Sequence, residues 1–214
     1  MKKGESCGVE IKEKILKIAF KLFLERGFLE VSINQLIKEV GMTKKCFYNY
    51  FESKHQLICE AVEKFLFPRF EDIILIADEH NEVPKKKLLK IFQKYSETES
   101  YLKNNFNIDK INYRLITFLT VEGIEKYQLM TKHIVDFHNR LLEKIESVIE
   151  EGKRLGQISS TVVSKSTAMY TISSLQSSIV LWVMNQNIDI KDLFETSFMY
   201  LWNSIKSLEK KTIN

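Results

Sequence analysis

Thr43, Lys44, Lys45, Tyr48 and Asn49 fall within seven residues, and each can donate a hydrogen bond to a phosphate oxygen or a base edge. Cys46 lies among them and Lys54 follows shortly after. Many weak donors in one short stretch suit recognition of a polyanion. Patterns for covalent chemistry are missing: the chain has no GxSxG, no HExxH and no phosphate-cradling glycine loop. His133 and His138 are five residues apart, so on a helix they point to different sides and do not form an i, i+4 metal pair. Cys7, Cys46 and Cys59 are odd in number and lack CxxC spacing, which argues against a disulfide framework or a zinc site. No catalytic residue, metal or cofactor is expected, and Cys46 reads as a small side chain near a helix start.

A second set of residues could bind a small molecule. Phe92, Tyr95, Phe106, Tyr113, Tyr127 and Phe137 recur along the middle of the chain, and His138 interrupts an apolar stripe. Such residues more often form core than pocket. Core tyrosines nevertheless need partners for their hydroxyls, and several together could line a cavity with a few polar handles. Phe92, Tyr95, Tyr113, Tyr127 and His138 are the candidate ligand contacts.

These residues need elements to place them. Ile11, Ile15, Ala19, Leu22 and Phe23 repeat at helical spacing, and Gly27 closes that helix. Ser32 and Gln35 have capping-box spacing for a second helix with Ile33, Leu36, Ile37 and Val40 on its apolar face, ended by Gly41. Thr43 caps a short third helix to Tyr50, with Phe47 and Phe51 inward. Two helices joined by Gly41-Met42-Thr43 make a helix-turn-helix over about 32–51. An arbitrary small bundle with a tight turn has the same outline, and the donor-rich face of the third helix is what favours DNA. Ser53 and Gln56 open a fourth helix along Leu57, Ile58, Ala61, Val62 and Phe65.

Pro68 predicts a kink or boundary, because an interior proline costs a helix ~3 kcal/mol. Pro84 predicts a helix start running toward Asn104, and a shorter helix is predicted over 108–119. Tyr127, Thr131, Ile134, His138, Leu141, Ile145 and Val148 alternate in steps of four and three, with Gly152 and Gly156 bracketing the end. The last two helices, 164–185 and 190–208, carry apolar residues on more than one face and so need more than one cover. One cover is the core. The other is a second copy of the chain, across Ile179, Leu181, Trp182, Phe198, Leu201, Trp202 and Ile205.

Composition fits this all-α reading. Two prolines and seven glycines in 214 residues are too few for the frequent turns of a sandwich or barrel. Residues 1–67 hold 12 Lys/Arg against 9 Asp/Glu, a modest positive excess compatible with phosphate contact. The opening MKKGESCGVEIKEK has no apolar run behind its lysines, so a signal peptide is not expected. The apolar stretch near Ser178–Met184 is too short to span a bilayer.

The segment 15–65, with AFKLFLERGF, INQLIKEVGM and FYNYFESKHQL, closely resembles the DNA-binding domain of TetR-type regulators. The resemblance implies that Lys44 through Asn49 form the exposed face of a recognition helix, with Tyr48 and Lys54 gripping the DNA backbone. It also implies a four-helix dimer interface made by the last two helices of each chain. Lys45 stands where the family has a small residue, often glycine, and Cys46 where Thr, Ser or Ala is common. Base preference therefore does not transfer. The resulting expectation is a DNA-binding domain over 8–67 and a ligand-binding and dimerisation domain over 68–214. The expected function is cytoplasmic: a homodimeric repressor on a palindromic double-stranded DNA operator, released by a small apolar or aromatic inducer. An activator, a ligand-independent regulator, or a helical enzyme or ligand carrier with an incidental N-terminal bundle are the competing readings.

Overall fold

The computed structural model describes residues 3–112 and 128–207. Ten helices are seen among them. They are α1 (Lys3–Arg26), α2 (Ile33–Val40), α3 (Lys44–Tyr48), α4 (Lys54–Phe65), α5 (Phe67–Ala77), α6 (Pro84–Ser96), α7 (Thr98–Phe106), α8 (Gln128–Arg154), α9 (Ser164–Met184) and α10 (Ile190–Ile205). Among the described residues the extended pairing is a single isolated bridge, Ile158 with Lys206. Packing divides the chain into two compact units, Met1–Arg69 with Glu99–His133 and Phe70–Thr98 with Ile134–Asn214. The segment 8–67 lies wholly in the first, while 68–214 is shared between the two.

The first unit is organised by aromatic rings. Phe20 of α1 meets Phe65 of α4 at 5.5 Å and Phe106 of α7 at 4.9 Å, and Phe65 meets Phe106 edge-on at 5.2 Å. This three-ring cluster is why α7 belongs with α1 and α4. Ile15, Ala19, Leu22 and Phe23 of α1 are buried with Leu57, Ile58, Ala61 and Val62 of α4. Ion pairs Lys12–Glu60 at 2.7 Å and Lys64–Glu13 at 3.1 Å tie the same two helices along their exposed edge.

In the second unit α6, α9 and α10 share a core. Phe92 packs edge-on against Phe198 at 5.8 Å and Phe194 at 6.4 Å. Lys87 of α6 is buried and reaches Glu151 of α8 at 2.7 Å. Helix α5 and the two residues after it are joined to their neighbours by surface charge: Glu71 takes a two-pronged bond from Arg140, Asp78 pairs with Lys144, Asp72 with Lys94 and Glu79 with Lys90. Arg140 holds the Glu71 carboxyl below its ordinary pKa by hydrogen bonding, against a smaller opposing effect of burial.

Local signals explain most of the helix ends. Leu66 separates α4 from α5, and Pro68 sits in the first turn of α5, where its missing N–H leaves no hydrogen bond unmade. Pro84 opens α6 at its first position. Three expectations need correction. The helix from Pro84 stops at Ser96 rather than Asn104, because Ser96 Oγ donates to the Gln93 carbonyl and Thr98 Oγ1 to that of Tyr95, drawing the backbone into a break. The helix expected over 108–119 is absent from its described part: Asn107 takes a left-handed φ of 49°, and 108–112 run without helix. The third helix ends at Tyr48 rather than Tyr50.

Candidate nucleic-acid interface

The head is built by caps and one anchor. Gly27 adopts φ 89°, ending α1 so that the chain can turn at once into α2. Ser32 Oγ accepts from the Gln35 N–H at 3.2 Å and Gln35 Oε1 accepts from the Ser32 N–H at 2.7 Å, a complete capping box. Gly41, at φ 76°, donates its N–H to the Ile37 carbonyl and releases the chain into the turn. Thr43 Oγ1 then accepts from the Cys46 N–H at 3.2 Å and starts α3. A five-residue helix has no stability of its own. Phe47 supplies it: fully buried, it meets the Phe51 ring at 5.8 Å.

With Phe47 inward, Thr43, Lys44, Lys45, Tyr48 and Asn49 are all exposed, and Cys46 is half-buried. Among the described residues neither Lys44 nor Lys45 takes part in an ion pair, so neither charge has a protein partner to leave. Lys54 is different. It is half-buried at the start of α4, and its Nζ lies 4.3 Å above the centre of the Phe28 ring. Burial lowers the pKa of its ammonium, and the nearby Glu30 carboxylate opposes that shift. Neither Phe28 nor Glu30 is apparent as a site residue in the sequence; both lie in the turn after Gly27, which has no periodicity to mark them.

Residues 15–61 match the sequence profile of the bacterial regulatory proteins of the tetR family. This segment carries the DNA-binding sequence of tetR-family regulators. Over 61 residues it is 36% identical to the HTH-type transcriptional regulator YdgC of Bacillus subtilis, a match covering 28% of this chain and 31% of YdgC. So the matched segment spans about a third of that relative. A longer and weaker similarity, 22% over 189 residues, joins it to the HTH-type transcriptional repressor DhaR of a Mycobacterium species, covering 87% of this chain and 89% of DhaR. A transcriptional regulator from Saccharomonospora viridis, solved in complex with choline, shares the fold with a TM-score of 0.77 at 15% identity, over 94% of this chain and all of that one. The TetR-family helix-turn-helix accordingly comprises α2 and α3 of this chain.

The other candidate residues separate. Phe92 and Tyr95 are buried in the second unit, and Tyr113 and Tyr127 lie outside the described residues. His138 is half-buried on α8. Its Nε2 lies 2.9 Å from the side-chain nitrogen of Gln176 on α9, and the ring is also hydrogen-bonded to the Ile134 backbone. Burial lowers its pKa, with the Ile134 bond opposing. The stability it contributes is therefore complete above the ordinary histidine pKa and is lost as the pH falls through the lowered one. Two grooves of the second unit, of about 500 and 550 Å³, are lined by none of Phe92, Tyr95 and His138.

The dimer candidates divide. Trp182, Phe198, Leu201 and Ile205 are at most 5% exposed in the single chain and offer little surface to a second copy. Ile179 and Trp202 are half-buried and Leu181 is exposed. The apolar residues that α9 and α10 do present are Met169, Tyr170, Val180, Leu181, Met184, Met199 and Tyr200. A signal existed in α9: Ser164, Ala168, Thr171, Leu175, Ser178 and Trp182 form one stripe in steps of four and three, all buried. Met169, Ser173, Ser177, Val180 and Met184 form another, all exposed.

Proposed function

We propose that this chain is a homodimeric, cytoplasmic transcription repressor that places α3 in the major groove of a roughly palindromic operator and is released by a small apolar or aromatic inducer. The observation carrying the DNA reading is the outward set Thr43, Lys44, Lys45, Tyr48 and Asn49, on a helix held by the buried Phe47. The similarity to the transcriptional repressor DhaR supports repression, and the choline complex of the Saccharomonospora regulator supports a small-molecule effector. Salt-dependent binding to duplex DNA tests this against a helical enzyme, which would show none. Tyr48→Ala and Lys54→Ala should weaken binding to every sequence, and Lys54→Ala should flatten the salt slope by about one. Lys45→Gly should change sequence preference. A uniform loss across an operator panel would make Lys45 a phosphate contact instead. Half-sites should lie about 10 base pairs apart or a multiple of it.

The inducer is placed among the helices between Pro68 and Gly156, with the His138–Gln176 pair as its polar handle. A ligand that favours badly spaced recognition helices must lower operator affinity, by roughly 5- to 150-fold at saturation for a typical coupling. His138→Phe should alter ligand affinity, read by thermal shift against a panel of apolar and aromatic compounds, while operator binding by the unliganded protein stays intact. Unfolding of His138→Phe would instead make the histidine a structural residue serving only the Ile134 and Gln176 bonds.

A further inference from the structure

Lys54 is the first residue of α4 and Phe28 belongs to the turn that follows α1, 26 positions earlier. The ring over which the Lys54 ammonium sits is not free to swing. Phe28 is 3% exposed, its ring meets Phe23 edge-on at 5.2 Å, and His55 lies against it at 5.9 Å. A buried aromatic ring thus presents a fixed negative face to the cation. The contact is electrostatic and directed at one side of the ammonium. Its N–H groups on the far side remain available to another acceptor. Lys44 and Lys45, on the exposed surface of α3, have no such support.

A lysine that grips a phosphate ordinarily gives up the freedom of a long, flexible stem, and that loss is subtracted from the binding it provides. A ring that restrains the stem beforehand removes part of the loss. We propose that Phe28 is a positioning residue for DNA binding, its ring face presetting the Lys54 ammonium at the start of α4 for a phosphate oxygen. The inference rests on the reading above that the chain binds duplex DNA. The Glu30 carboxylate acts on Lys54 through its charge alone.

Preorganisation has a signature that loss of a contact does not: affinity changes while the number of phosphates neutralised does not. With a short mixed-sequence duplex as probe, Lys54→Met should weaken binding and lower the salt slope by about one. Phe28→Leu keeps an apolar side chain in the turn but removes the ring. It should weaken binding about three- to tenfold with the slope unchanged. In the Lys54→Met background, Phe28→Leu should have almost no further effect, and Phe28→Tyr, which keeps the ring face, should bind like the wild type. Equal losses from Phe28→Leu in both backgrounds would overturn the proposal and make Phe28 a packing residue. No loss from Phe28→Leu would overturn it equally. The wild-type protein provides a check independent of folding: the Lys54 side-chain protons should show an upfield ring-current shift that persists when DNA is added. Disappearance of that shift on binding would show that Lys54 leaves the ring to reach the phosphate. Absence of any salt-dependent DNA binding by the wild type is a different result, which removes the DNA reading itself and this inference with it.

Discussion

Leu181→Arg is expected to leave the chain folded and to convert the proposed dimer to a monomer. Leu181 is 47% exposed, so an arginine there can reach water in the single chain. Met169, Tyr170, Val180 and Met184 of α9 and Met199 and Tyr200 of α10 are exposed as well, the last three at least 60%. Large apolar side chains that gather in one exposed patch mark interaction sites, and α9 exposes more of them than any other described helix. An unpaired charge buried in an interface costs about 3–5 kcal/mol, a weakening of self-association of roughly 10²- to 10⁴-fold. Operator affinity should fall as well, since two linked heads engage two half-sites with an avidity roughly 10²- to 10⁴-fold above one. Sedimentation separates the species. Wild type running as a 25.2 kDa particle at micromolar concentration would defeat the dimer proposal. Trp182→Arg is a poor substitute for this test, because Trp182 is 2% exposed and the change would break the chain's own core.

Phe47→Ala should have the largest effect on the head. The side chain is fully buried and is the one buried residue of α3. Truncating a buried phenylalanine typically costs about 3–5 kcal/mol, through lost burial and the cavity left behind. Here the loss is concentrated on a five-residue helix that has only the Thr43 cap besides. Chemical denaturation should show the first unit destabilised by about that amount, and affinity for duplex DNA should fall with it. Retained DNA affinity in a protein so destabilised would mean that α3 is not the reading element.

The head was largely legible in the sequence because its signals are local. A cap and its partner sit three residues apart at Ser32 and Gln35, Gly27 and Gly41 mark the ends before them, and Pro68 and Pro84 mark helix starts. Periodicity then identifies Phe47 as inward and its neighbours as outward. The break at Ser96–Thr98 was not legible, since it depends on two hydroxyls turning back to carbonyls within an otherwise helical pattern. The sorting of the candidate interface residues was not legible for another reason. Apolar content around most of α10 says that two faces need cover, but not which is covered by the chain itself. Only packing against Phe92 assigns Phe198 to the inside. Lys54 over Phe28 joins a helix start to a distant turn, a contact no periodic pattern encodes.

The brevity of α3 has an evolutionary consequence. Its fold is carried by two positions, the Thr43 cap and the Phe47 anchor, while Lys44, Lys45, Tyr48 and Asn49 point outward. Substitutions at such surface positions usually change stability by only about 0.5 kcal/mol in either direction. The residues proposed to choose the operator are thus nearly separate from those that keep the head folded. A lineage carrying this head can exchange Lys45 or Asn49 and explore new target sequences while its core stays intact. Divergence of binding preference is then limited by selection on the regulated genes, and hardly at all by the folding of the protein.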